Sequence, residues 1–504
     1  MATDVWQQPL GAVPTGDGRV SFRVWAPAAR SIAVALRGAE QALEPAGEGV
    51  WAAELDAQPG DDYLFVVDGD RRLPDPCSRE QPEGMLGPSR VLDTAAFQIA
   101  PGPRLPLEEV VLYELHVGTF TPEGTFDAAI PRLQALRELG ITAVELMPVA
   151  TFPGERGWGY DGVYTSAPHR AYGGPAGLAR FVDAAHRAGL AVFLDVVYNH
   201  VGPGGVERVR PFGPYFTHEH ETFWGDAIDY SERGVREWAI GNALLWTREY
   251  GIDGLRLDAV HAIYDDSPTH VLRELRDRVE GLIVSEMGHA DFRPLVEWGH
   301  DAMWLDNLHH ELHVLLTGEH DGYYARHGTM DGLVRELLRP ERERLVVAAQ
   351  NHDQVGNRAL GDRLPPDAHR LALAVCLFSA CTPLLFEGEE YDERAPFCFF
   401  TDHVDPAVAE ATREGRKREF ARFAAFADGD VPDPQEPATF EASRLTPRPC
   451  DPFYAELIRL RRELPPELEA RVDGRRLTVR RGEATLVADF DAVTVELESA
   501  ELRT

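Results

Sequence analysis

The chain has 504 residues, too many for one ordinary core, which predicts two or three domains. Hydrophobic residues make up 44% and charged residues 26%, the balance of a globular protein, and no apolar run approaches the ~20 residues of a membrane-crossing helix. The formal net charge of −33 argues against nucleic acid and against an anionic membrane as partners, because both are held by clustered cations, whereas a neutral polyhydroxyl substrate is indifferent to the field.

In chain order, Met1-Ala2-Thr3-Asp4-Val5-Trp6 has no basic stretch followed by an apolar one, so it does not read as a secretory signal and a cytoplasmic location is expected. Residues 1–100 read as short alternating strands, among them 20–25 and 63–67, punctuated by Gly and Pro, and predict a β-sandwich. Residues 101–106, Pro-Gly-Pro-Arg-Leu-Pro, read as a linker. From 105 to 440 strand-sized apolar runs alternate with amphipathic helical patterns. The runs are 110–115, 143–147, 191–197, 254–258, 282–286, 301–304, 345–350 and 383–386, with a helix at 177–188 stopped by Gly189. Eight such strands over some 300 residues predict an α/β fold, a (β/α)₈ TIM barrel. Residues 450–504 open with a helix at 453–464 and continue with alternating runs at 476–480, 485–490 and 493–497, a small C-terminal β-domain.

Two residue types narrow the chemistry. Lys417 is the only lysine, which excludes Schiff-base and phosphate-loop lysine mechanisms; the bias toward arginine fits either codon usage or a salt-adapted acidic surface. The five cysteines, Cys77, Cys376, Cys381, Cys398 and Cys450, have no zinc-ligand spacing and are expected to be free thiols.

Catalytic groups in such a barrel sit at the C-terminal ends of the strands. The third strand runs into Asp195-Val196-Val197-Tyr198-Asn199-His200. The fourth reads Arg256-Leu257-Asp258-Ala259-Val260-His261, the fifth ends at Glu286, and the seventh ends in Gln350-Asn351-His352-Asp353. Alternation puts Arg256 and Asp258 on one side of their strand, facing into the barrel, where the cation keeps the carboxylate ionised as a glycosyl nucleophile requires. Alone, that pair is equally an internal salt bridge; Glu286 is equally an ordinary strand-end glutamate, Asp353 a helix cap, and His200 and His261 structural histidines. The set is what points to chemistry. Retaining glycoside cleavage uses a nucleophile and an acid/base, and a third carboxylate can brace the sugar as positive charge develops.

These four motifs, in this order, resemble the α-amylase superfamily, glycoside hydrolase family thirteen. The resemblance implies Asp258 as nucleophile, Glu286 as acid/base and Asp353 as transition-state stabiliser. It implies sugar-binding roles for Asp195, Asn199, His200, Arg256, His261 and His352, and for Tyr160 in Gly157-Trp158-Gly159-Tyr160-Asp161-Gly162 as the tyrosine stacking at the cleavage point. Segments 73–76, 82–84, 113–120, 258–265, 350–358 and 399–403 resemble a trehalose-releasing subgroup that cleaves the α-1,4 bond next to the terminal trehalose of malto-oligosyltrehalose. No organic cofactor is implied, and no metal is expected although many amylases bind calcium through an asparagine like Asn199. A malto-oligosyltrehalose or related α-glucan substrate, a malto-oligosyltrehalose synthase as pathway partner and a monomeric state are expected.

The sequence departs from that subgroup after Glu286, where Met287-Gly288-His289-Ala290-Asp291 is a short polar run. It departs again at Trp304-Leu305-Asp306-Asn307-Leu308, in a shortened loop before 345, and at Glu387, where a methionine is usual. All are expected on the leaving-group side, with Trp304 and Asp306 as recognition contacts or, equally, as packing and helix-capping residues. The N-terminal sandwich, of the isoamylase and branching-enzyme kind, either shapes the cleft or only stabilises the barrel. A branching enzyme or a broader malto-oligosaccharide hydrolase is the alternative activity, and a non-catalytic glucan-binding paralogue the alternative class.

Overall fold

The computed structural model describes residues 5–288, 290–420 and 431–498. The first four residues of the N-terminal segment, His289 of the run after Glu286, and the last six residues of the expected C-terminal domain lie outside them. Among the described residues, no helix is long and apolar enough to cross a membrane.

The N-terminal β-sandwich forms because its strands alternate. One sheet orders Gly11–Gly16, Arg19–Trp25, Val50–Asp56 and Glu44–Gly47; the other carries Ile32–Leu36 beside Asp62–Val67. Val20, Phe22 and Val24 of the first, and Val34, Tyr63 and Phe65 of the second, are buried between them. The sandwich does not stand apart. Trp25 meets Tyr215 edge-on at 5.1 Å, Phe65 meets Phe212 at 6.2 Å, and Arg79 pairs with Glu249 at 2.6 Å. Phe212 and Tyr215 belong to the segment that continues from His200, so the sandwich buttresses a loop of the candidate site.

Eight parallel strands close the barrel: β1 Leu112–Leu115, β2 Ala143–Leu146, β3 Ala191–Val196, β4 Gly254–Leu257, β5 Leu282–Glu286, β6 Ala302–Trp304, β7 Leu345–Ala348 and β8 Thr382–Phe386. β8 pairs back onto β1. Each expected strand is present: β5 has the expected bounds, β8 starts one residue earlier, and the others are trimmed by a residue or two. Their near-continuous apolar character follows from burial on both faces, by packed helices outside and by side-chain layers inside. The helix after β2 runs Gly174–Arg187 and starts before the expected 177, because Pro175 suits a first turn. After β3 the chain makes a hairpin, Phe216–Thr222 with Gly225–Ile228.

Helix Pro452–Arg461 leads into a four-stranded antiparallel meander, Glu469–Asp473, Arg476–Arg481, Ala484–Asp489 and Thr494–Glu498. The first of these strands was not predicted. Its sequence, Glu-Ala-Arg-Val-Asp, lies at a sheet edge with no fully buried position, so it carries little apolar signal.

Candidate active site

The site is built around one cation. Arg256, on β4, is fully buried, and its Nη1 lies 2.7 Å from Asp195 Oδ2 and 2.8 Å from Asp258 Oδ1. Its Nη2 is 3.0 Å from Glu286 Oε2. Strand register explains the gathering: Asp195 of β3 pairs with Arg256 of β4, and Glu286 ends the neighbouring β5. Three acids from three strands thus converge on one guanidinium.

Asp258 has both oxygens engaged, Oδ1 by Arg256 and Oδ2 by Asn199 Nδ2 at 2.7 Å, and its side chain keeps 11% exposure. Glu286 is 19% exposed, and its Oε2 accepts from the Ala259 N–H at 2.7 Å. Ala259 takes up the left-handed region, φ 41° and ψ 51°, to aim that N–H. A non-glycine residue there costs on the order of 1 kcal/mol or more, so the surrounding fold must hold it in place.

Asp353 sits in the first turn of helix His352–Gly356, 39% exposed, with Oδ1 3.5 Å from His352 Nε2. His352 bridges the cluster. Its Nδ1 meets Glu114 Oε1 at 2.5 Å and its Nε2 meets the Tyr160 hydroxyl at 2.7 Å. Burial opposes charge on this imidazole, but Glu114 and Asp353 outweigh it and raise its pKa to about 10, so it is an imidazolium at neutral pH. The Tyr160 hydroxyl donates to Asp195 Oδ2 at 2.6 Å, and its ring stacks on His352 with centroids 5.2 Å apart. Burial, partly offset by Arg256, pushes Asp195 up to about 7.

His200 reaches the Tyr160 carbonyl at 2.9 Å through Nε2 and contacts Asn199 through Nδ1; burial lowers its pKa to about 4, which keeps it neutral. His261 is exposed and its Nδ1 accepts from the Gly288 N–H at 3.3 Å, beside Glu286. Asp306 precedes helix Asn307–Thr317 without a side-chain cap bond; instead its Oδ1 accepts from Gln354 Nε2 at 2.9 Å. Burial, with Glu286 and Asp353 adding to it, raises Asp306 to about 7.

On the leaving-group side, Trp304 fits the packing alternative, and the expected place of Glu387 needs correction. Trp304 is only 4% exposed, and the Arg256 guanidinium lies 4.4 Å over its ring, so the indole supports the hub from behind and is not open to a sugar. Glu387 is fully buried beneath the site, where its carboxylate accepts from Thr119 Oγ1 at 2.7 Å and the His116 N–H at 3.0 Å.

Three neighbours escaped sequence reasoning. Glu114 orients His352. Glu145, paired in register with Glu114, is fully buried, and neither carboxyl oxygen has a hydrogen-bond partner. Acidic residues inside apolar barrel strands were the available signal for both. Trp224, in the turn of the hairpin after β3, stacks on His200 at 4.2 Å, with Phe223 beside it almost fully exposed; nothing local marked this contact.

A closed eight-strand barrel that gathers acids at its strand ends beside an N-terminal sandwich defines a glycoside hydrolase of the alpha-amylase class. The family model of the alpha amylase catalytic domain matches residues 86–205, and that of carbohydrate-binding module 48, the isoamylase N-terminal domain, matches residues 9–80. A protein of Deinococcus radiodurans named malto-oligosyltrehalose trehalohydrolase is 42% identical, over 90% of this chain and 83% of its own length. The chain belongs to the malto-oligosyltrehalose trehalohydrolase family. A solved chain from Salmonella typhimurium, named as a candidate alpha amylase, superposes with a TM-score of 0.85 at 37% identity, covering 95% of this chain and 92% of that one. By contrast, a 1,4-alpha-glucan branching enzyme of Nitratidesulfovibrio vulgaris is 35% identical over only 49% of this chain and 44% of its own.

Proposed function

We propose that the protein hydrolyses the α-1,4-glucosidic bond next to the terminal trehalose of malto-oligosyltrehalose, releasing trehalose with retention of configuration. The observation that carries this reading is the state of Asp258. Each of its oxygens is fixed by a separate donor, while Glu286 lies on the next nitrogen of the same guanidinium. Two carboxyls gathered on one guanidinium in this way suit a nucleophile beside an acid/base, the pair that retaining enzymes hold about 5–5.5 Å apart.

In this reading an Asp258 oxygen attacks the anomeric carbon as Glu286 gives its proton to the departing glucosidic oxygen. Glu286 then takes a proton from water, which displaces Asp258 from the same carbon. Asp353 and the His352 imidazolium brace hydroxyls of the sugar as its ring gains positive character. Asp195 and Arg256 hold the nucleophile's surroundings, Asn199 orients it, and Tyr160, His200 and His261 line the same end of the barrel. Asp306, tied to Gln354, is the remaining candidate for reading the leaving trehalose.

The physiological setting we propose is a monomeric cytoplasmic enzyme fed by a malto-oligosyltrehalose synthase, needing no metal. The five cysteines are all free thiols, which suits a reducing compartment. Product analysis with malto-oligosyltrehalose and a plain malto-oligosaccharide side by side tests the activity. Dominant trehalose release supports it; new α-1,6 branches would assign transfer to a second glucan instead, and no turnover of either would refute catalysis.

A further inference from the structure

The end of the barrel opposite the carboxylates holds a feature that the reaction does not use. A cleft of about 930 Å³ opens where β1, β2 and β8 begin, between Val111, Thr142 and Thr382 on the barrel side and the C-terminal domain. Its volume lies at the upper end of the range of ligand sites, roughly 300–1,000 Å³. Five arginines line it: Arg137, Arg344, Arg461, Arg462 and Arg481.

None of the five forms an ion pair among the described residues, although the chain has 83 acidic residues against 50 basic ones. They bond backbone carbonyls instead. Arg461 and Arg481 both reach the carbonyls that end helix Pro366–Phe378, Arg461 at Leu377 (3.0 Å) and Arg481 at Ser379 (2.8 Å). A helix C-terminus attracts a cation, so these two have a structural reason to be there. Arg481 is only 4% exposed, and burial draws its pKa down to about 10, outweighing the nearby Glu343 and Glu467; burial, with Arg481 adding to it, draws Arg461 down to about 9.

Arg137 and Arg462 meet the end of helix Leu133–Leu139 in a similar way, Arg137 from its last turn and Arg462 at the carbonyl of its cap Gly140, whereas Arg344 has no such reason. All three are exposed at the rim. Arg137 makes one bond, to the Ile141 carbonyl at 3.4 Å; Arg462 makes one, to the Gly140 carbonyl at 2.6 Å; Arg344 makes two, to the carbonyls of Asp301 and His300. Each guanidinium has five N–H donors, so most of theirs are spare. The acids of the cleft, Glu108, Glu109 and Glu343, form no ion pair with any of the five, although Glu109 acts on Arg462 and Glu343 on Arg481 from farther off; the ion pair of Glu343 is with Arg342, at 3.7 Å.

We propose that this cleft binds a multiply charged phosphate compound, inorganic or carried on a small sugar, at a site separate from the glucan cleft. Guanidinium forks match phosphate oxygens two at a time, and such a ligand would supply the direct ion pairs that the arginines lack. Because its walls come from the barrel and from the C-terminal domain, a bound ligand ties the two together.

Isothermal titration of the full chain with sodium pyrophosphate, and separately with a hexose bisphosphate, at fixed ionic strength tests the site. The comparison is the triple variant Arg137→Gln, Arg344→Gln, Arg462→Gln. The wild type is expected to bind at least one probe saturably, and the triple variant about thirty-fold or more weaker, as the loss of several charge-assisted bonds implies, with unchanged ligand-free kcat/KM on glucan. Tighter binding of pyrophosphate assigns an inorganic ligand, and tighter binding of the bisphosphate an organic one. No saturable heat from either probe, or an unchanged Kd in the triple variant, overturns the proposal. Should the triple variant not fold, Arg344→Gln alone must weaken binding about three-fold or more, and an unchanged Kd is again decisive against it.

Discussion

Replacing Glu145 by glutamine should make the protein relatively more stable as the pH rises. Glu145 is fully buried, and neither of its carboxyl oxygens has a hydrogen-bond partner. Burial pushes its pKa well up, and the nearby Glu114 and Asp195 push the same way against Arg256 and His352. The folded protein therefore keeps this proton over a pH range in which the unfolded chain has lost it. Above the unfolded value of about 4.3, each pH unit costs the fold up to about 1.4 kcal/mol, until the raised folded pKa is passed. Glutamine cannot ionise and carries no such cost. Its amide is also buried without a partner, a fixed penalty of about 1–3 kcal/mol that does not depend on pH. The variant should thus start level with or below the wild type at pH 5.5 and gain up to about 2.7 kcal/mol on it by pH 7.5, a relative Tm shift on the order of 5 °C. Thermal and urea unfolding of both proteins at pH 5.5, 6.5 and 7.5 measures this. A stability difference that does not change with pH would mean that Glu145 is ionised in the fold despite its burial.

Asp258→Asn should keep the fold and lose nearly all turnover, and the wild type should release its sugar first as the α-anomer by rapid proton NMR; initial β-anomer would require an inverting site. Glu286→Gln should slow glucans far more than an α-glucosyl fluoride, whose leaving group needs no proton, and equal losses on both would remove Glu286 from the acid role. Asp306→Ala, which also strips Gln354 of its partner, should cut kcat/KM for malto-oligosyltrehalose about ten- to a hundred-fold more than for a malto-oligosaccharide of equal length. A matched fall in the two would show that Asp306 does not read trehalose.

The barrel was legible in the sequence because its strands are short apolar runs separated by amphipathic helices, a pattern that burial on both faces imposes. The Arg256–Asp258 pairing was legible for a similar reason: two-residue alternation on one strand places both side chains inward, and the structure puts them 2.8 Å apart. Contacts that depend on distant parts of the chain were not legible. Trp304 stood out as an aromatic at a strand end, but only the closed barrel reveals that its face is taken by Arg256. The hairpin that brings Trp224 onto His200 is set by packing between segments, with no periodicity of its own. The edge strand Glu469–Asp473 has too few apolar positions to announce itself.

The bond from the Ala259 N–H to Glu286 has a mechanical consequence. The peptide plane that follows Asp258 in the chain donates the N–H that holds Glu286, so the residue carrying one carboxyl also anchors the other, in addition to the Arg256 bridge between neighbouring strands. Stretching or shortening the loops after β4 and β5 changes what surrounds that plane without lengthening it. Over evolutionary time such a linkage lets the rim of the barrel be rebuilt for new leaving groups while the stereochemical outcome stays fixed.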